Sequence, residues 1–229
     1  MCTVTYVPFK EGFAITSNRD ENPARKTAAP KIVRLNNEVI IEAPIDTKQG
    51  GTWIALEKQT GKMVCLLNGA RTKHKRNPSY RKSRGKIVLE VFLSNNFESF
   101  CEEVNLEGVE PFTLLMASKN SLIELIWDGK TKEINVKNTK NPYIWSSSTL
   151  YNDEQKNEKA LLFKNYLQTQ KPTPQTLLAL HGVGGRKAFI LNREIIKTVS
   201  ITQMVSMAKE TKMKYFDLTA MQKVETTKI

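Results

Sequence analysis

Cys2-Thr3-Val4-Thr5-Tyr6-Val7, followed by Pro8 to Glu11 and then Gly12-Phe13-Ala14-Ile15-Thr16-Ser17, decides how this chain begins. β-Branched and aromatic residues on both sides of a short turn fit a pleated, half-buried surface, so the chain is expected to open on a β-hairpin. Outward from it, Lys31 to Leu35 and Glu38 to Glu42 read as strands around Asn36-Asn37. Trp53 to Glu57 and Met63 to Leu67 read as strands around a turn containing Gly61.

At Lys86 the period changes. Phe97, Phe100, Cys101 and Val104 recur at i, i+3, i+4 and i+7, one face of a helix, and Asn95-Asn96 divides the stretch from Lys86 to Val104 in two. Phe112 to Ala117, Leu122 to Trp127, Lys132 to Val136 and Tyr143 to Ser147 form a second run of strands. A helix from Asp153 to Gln168 follows, with Asn152 as its N-cap and Ala160, Phe163 and Leu167 facing inward. A short helix opens at Pro172 or Pro174 and runs through Leu180; His181 to Gly185 is a loop; Lys197 to Val205 and Met213 to Leu218 close the chain as strands. Strands and helices arrive in blocks, which excludes regular βαβ alternation and predicts an α+β fold, with antiparallel sheet and helices on its outer faces. No repeat, low-complexity tract or linker interrupts residues 1–229, which read as a single domain.

The 229 residues are 40% apolar and 25% charged, ordinary for a soluble protein, and hold no apolar run of transmembrane length. The first twenty residues lack a basic start, an apolar core and a small-residue cleavage site, so the expected compartment is the cytoplasm. Three widely spaced cysteines and two histidines argue against both a zinc site and a disulfide framework. The net charge of +12 is concentrated in RTKHKRNPSYRKSRGK, Arg71 to Lys86, which carries eight Lys or Arg and no acid. This run is either a solvated loop or an anion-facing rim. With Tyr80 as its only aromatic and no nucleic-acid module in the chain, nucleic acid or an anionic membrane surface is a third-rank partner. His74 and His181 lack partner spacing for a Ser or Cys triad.

Met1-Cys2-Thr3, Asn18-Arg19-Asp20-Glu21, Gly50-Gly51-Thr52-Trp53 and Ser83-Arg84-Gly85 occur in an order that resembles the NRDE proteins, the transport and Golgi organisation family. That family is similar to the N-terminal-nucleophile hydrolases, in particular penicillin V acylase and bile salt hydrolase. The resemblance implies a four-layer αββα sandwich of two stacked, mainly antiparallel sheets, with Cys2 on a central strand. It also implies that removal of Met1 frees the Cys2 α-amine, whose reference pKa of about 7.7 to 8.0 suits it to act as base for its own thiol.

The acylases carry an R-N-L-D pattern on the second strand; here Asp20 matches the aspartate, Ser17 stands at the arginine and Arg19 at the leucine. Asn68, closing Met63 to Leu67, matches an oxyanion-binding asparagine. A second asparagine before the long helix is replaced by Ser147, and the acylases' C-terminal arginine is unmatched, with Arg193 nearby. The resemblance thus implies a site of Cys2, Asp20 and Asn68, supported by Asn18, Arg19 and Ser147, hydrolysing a carbon–nitrogen amide bond without cofactor or metal. Trp53 is either core or a ligand platform, and Arg71 opens the basic rim toward a small, anionic substrate. Gly50-Gly51 serves backbone geometry. The rival reading from the same resemblance is a non-catalytic carrier of a small hydrophobic or anionic ligand such as haem or a lipid. A cysteine in a first strand is otherwise an ordinary buried hydrophobe.

Overall fold

The structure, a computed structural model, describes residues 3–185, 188–208 and 210–219. They gather into two compact units. The first draws on the described residues of Met1–Arg25, Pro142–Ser146 and Tyr151–Ile229, the second on Lys26–Asn141 and Ser147–Leu150.

The first unit is an antiparallel sheet of β1 (Thr3–Phe9), β2 (Gly12–Glu21), β10 (Tyr143–Ser146), β11 (Lys197–Met207) and β12 (Glu210–Asp217), in the order β10-β1-β2-β11-β12. The hairpin expected at the start is present, with Thr3 opposite Asn18 and Val7 opposite Ala14. β2 runs on to Glu21, so Asn18-Arg19-Asp20-Glu21 is strand and not turn. Its long partner β11 supplies hydrogen bonds along the whole length.

Two helices cover one face of this sheet: α3 (Asp153–Thr169) and α4 (Pro174–His181). Each begins with a capping box, Asn152 with Gln155 and Thr173 with Thr176, and Pro174 occupies the first turn of α4 where its missing N–H is harmless. Phe163, Tyr166, Leu177, Leu180 and Phe189 bury against Val7, Ala14 and Val205. Each large apolar side chain so buried contributes roughly 1.5–3 kcal/mol. The inward stripe of α3 is Lys159, Phe163 and Tyr166; Ala160, expected inside, is exposed and Leu167 only half-buried. Lys159 takes the inner position because its ammonium lies over the Tyr151 and Phe189 rings, 4.6 and 5.1 Å from their centroids.

The second unit is a seven-stranded antiparallel sheet in chain order: β3 (Thr27–Arg34), β4 (Ile40–Asp46), β5 (Ile54–Leu56), β6 (Met63–Asn68), β7 (Phe112–Ala117), β8 (Leu122–Trp127) and β9 (Lys132–Val136). β6, β7 and β8 are buried on both faces, apart from Asn68 at the end of β6, which is why they read as nearly unbroken apolar runs. α1 (Arg84–Leu93) and α2 (Phe97–Glu103) lie on one face, burying Ile87, Val88, Val91, Phe92, Phe97 and Phe100 against Val64, Leu66, Leu114 and Met116. Their separation falls at Asn96, whose side chain caps α2 by accepting from the Ser99 N–H. Among the described residues no helix is long and apolar enough to cross a membrane.

Candidate active site

Side chains alternate across β2, so Thr16, Asn18 and Asp20 share one face while Ser17 and Arg19 share the other. Asn18 and Asp20 are both buried, and each is held by groups far away in sequence.

The Asn18 amide donates to the carbonyls of His181, at 2.9 Å, and Phe189, at 3.0 Å. With both amide protons so used, its Oδ1 is an acceptor, and the contact with His181 Nδ1 therefore places the ring proton on Nδ1. His181 Nε2 then accepts from the Thr5 hydroxyl at 2.8 Å. Burial, and secondarily the charge of Lys159, push the His181 pKa down to about 3, so the ring is neutral at physiological pH.

Asp20, 3% exposed, accepts on both carboxylate oxygens: from the Tyr151 phenol at 2.7 Å and the Thr198 hydroxyl at 2.5 Å. Arg19, on the opposite face, is also buried and approaches Glu21 at 3.9 Å. Cys2, the expected nucleophile, lies outside the described residues, but its chain neighbour Thr3 pairs with Asn18.

In the second unit Asn68 ends β6, and Ser147 donates its hydroxyl proton to the Asn68 backbone carbonyl at 2.6 Å. That proton is therefore engaged at the backbone. Gly69 follows Asn68 at φ +83°, and a Cβ there would meet the Ser148 Oγ at 2.3 Å. The chain turns tightly after Asn68 because only glycine fits both the conformation and the space.

Trp53 is buried immediately before β5. Arg71 faces Glu133 on β9 in a two-pronged pair. The rest of the basic run is largely answered within its own unit. Glu110 draws His74, Arg76 and Arg84 to 3.4, 3.8 and 3.1 Å, Lys82 pairs with Glu90, and Arg81 donates to the carbonyls of Glu107 and Asn105. The acids absent from the run itself come from β9, α1 and the loop before β7. The Gly51 and Gly85 motifs meet: a Cβ on Gly51 would lie 2.7 Å from the Gly85 carbonyl carbon, and Thr52 N donates to Gly85 O. Among the described residues no group of three His, Cys, Asp or Glu could hold a metal ion.

Tyr151, Thr198 and His181 were invisible as site residues in the sequence. They lie 131, 178 and 163 positions from the β2 residues they touch, with no motif spacing to connect them.

Three comparisons bear on this arrangement. The family model described as Transport and Golgi organisation 2 matches residues 1–223. Comparison with curated proteins returns no match. Among solved structures, penicillin V acylase from Agrobacterium tumefaciens is similar at a TM-score of 0.52 and 9% identity, over 96% of this chain and 86% of that one. At that identity the likeness carries the fold, an α+β arrangement of antiparallel sheets and four helices of the N-terminal-nucleophile hydrolase type.

Proposed function

The chain belongs to the Transport and Golgi organisation 2 family, and from that premise we propose that it is an N-terminal cysteine hydrolase acting on a carbon–nitrogen amide bond. After loss of Met1, the Cys2 thiol passes its proton to its own α-amine and the sulfur bonds to the amide carbonyl carbon, pushing charge onto oxygen. Backbone N–H groups hold that oxyanion, and Asn68 is the side chain to which the family pattern gives the same role. Collapse breaks the C–N bond, the amine product leaves with the proton from the α-ammonium, and water then cleaves the thioester to a carboxylic acid and the free thiol. Asp20 orients the α-ammonium between these transfers.

The observation that carries this reading is the buried Asp20 carboxylate, held at both oxygens, on the strand hydrogen-bonded to the one that Cys2 precedes. The test is intact mass of the protein from its native host, followed by iodoacetamide labelling with peptide mapping. Loss of one methionine and preferential labelling of Cys2 near neutral pH are expected. Retained Met1, or a Cys2 no faster than Cys65 and Cys101, removes the mechanism.

A second reading, a non-catalytic carrier of a small hydrophobic or anionic ligand such as haem or a lipid, is favoured by two features. Ser17 offers no guanidinium, and the Ser147 proton is engaged by the Asn68 carbonyl. Ligand binding that survives Cys2→Ser, with no amide turned over, selects this reading.

A further inference from the structure

We propose that Tyr151 and Thr198 are positioning residues for Asp20, and that a β-bulge at Val199 is the device that brings a hydroxyl onto this carboxylate. The inference rests on the reading of Cys2 as nucleophile and of Asp20 as the group that orients its α-amine.

The register of β11 on β2 carries the argument. Ile201 pairs with Asn18 and Ser200 with Arg19; continued without interruption, this register sets Val199 opposite Asp20. Instead it shifts by one residue, so that Thr198 pairs with Asp20 and Lys197 with Glu21. A valine at that place has no proton to donate. Bulges re-aim a side chain in this manner, and here the re-aimed group is a donor.

The direction of each proton is determined. Thr198 Oγ1 accepts the Leu191 N–H at 2.8 Å, so its own proton goes to Asp20 Oδ1 at 2.5 Å. The Thr198 N–H is in turn bonded to the Leu191 carbonyl at 2.8 Å, which holds the residue from both sides. The Tyr151 phenol donates to Oδ2 at 2.7 Å. Two cations approach its ring, Lys159 Nζ at 4.6 Å and the Arg193 guanidinium carbon at 5.8 Å from the centroid, and both favour the O–H as a donor to the carboxylate.

A carboxylate offers about four acceptor directions. Anchoring one on each oxygen stops the group from turning about its own bond and fixes where the other two point. An amine is held only if those directions do not wander, since a hydrogen bond weakens steeply once misaligned.

The experiment uses protein processed to begin at Cys2, and measures the second-order rate of Cys2 alkylation by iodoacetamide at neutral pH together with the thermal midpoint. Thr198→Val and Tyr151→Phe are expected to lower the rate about tenfold, the scale of one lost hydrogen bond to a charged group. Thr198→Ser, which keeps the hydroxyl, is expected to restore it. Rates within twofold of the parent in both Thr198→Val and Tyr151→Phe, with a fast parent Cys2, overturn this inference and leave the proposed reaction standing. A parent Cys2 no faster than free cysteine overturns both. Should Thr198→Val not fold, Tyr151→Phe, which deletes one oxygen and keeps the ring, carries the test.

Discussion

Asn18 and His181 form a closed hydrogen-bonded pair in which the asparagine donates to the histidine's carbonyl and accepts from its ring Nδ1. This ties the C-terminal end of α4 to the middle of β2, beside the Asp20 carboxylate. Because His181 is buried and neutral, the pair has a pH signature. The folded-state pKa, about 3, lies below the unfolded value of 6.5, so the stability it contributes is complete above pH 6.5 and is lost as pH falls toward 3. Lys159 is the charge acting on the ring, and both its other partners, Thr5 and Asn18, are neutral. Urea unfolding of the parent and of His181→Gln is expected to show the difference between them shrinking by about 1.4 kcal/mol per pH unit from pH 6.5 to 4. Parallel curves would remove the buried neutral histidine.

Asn18→Ala strands the His181 and Phe189 carbonyls and the Nδ1 proton together. Buried groups without partners are costly, so a loss of about 3 kcal/mol or more is expected in chemical denaturation. A loss under about 1 kcal/mol means that water or a rearranged α4 replaces the asparagine.

The glycine pair 50–51 separates two physical reasons for a glycine. Gly50 has φ +65° and open space around a Cβ, so Gly50→Asn, which tolerates the left-handed region, is expected to cost under about 1 kcal/mol. Gly51→Ala drives a methyl into the Gly85 backbone and is expected to cost about 1–3 kcal/mol, with no relief from a side-chain rotamer change. Thermal midpoints of the two variants decide between the two effects.

Ser147→Ala removes the donor from the Asn68 carbonyl and is expected to destabilise by about 1 kcal/mol in urea unfolding. Ser147→Thr keeps the hydroxyl and should retain most of that stability. Equal losses in both would assign the effect to packing around Gly69 rather than to the hydrogen bond.

Burial pushes the Cys101 thiol up to about 11, against a smaller opposing pull from Lys132. At pH 8 only about one part in a thousand is then thiolate, the nucleophilic form. Alkylation of Cys101 is therefore expected to track unfolding, and a rate in native buffer matching that in denaturant would contradict the packing of α2.

Much of the first unit's beginning and of the second unit's sheet was legible in the chain alone. Alternation with β-branched and aromatic residues marked β1 and β2, and apolar runs between turn residues marked β6, β7 and β8. The Asn96 and Asn152 caps marked the starts of α2 and α3. These signals are local: a period of two or 3.6, a cap side chain within three residues of its acceptor, a glycine where the backbone turns. The family motifs likewise drew attention to Asn18, Asp20 and Asn68. What tertiary structure alone decided is the partner of each. The capping box of α3 was readable at Asn152, but not that Tyr151 just before it reaches Asp20 on β2. Val199 looked like any strand valine, yet the bulge there turns Thr198 onto the same carboxylate. Lys159 took the inward place that apolar periodicity reserved for Ala160, because two aromatic rings converge on its ammonium. Hydrogen bonds and cation–π contacts act over a few ångströms of space whatever the separation along the chain, and no periodicity in a sequence encodes which distant strand or helix will supply the other half.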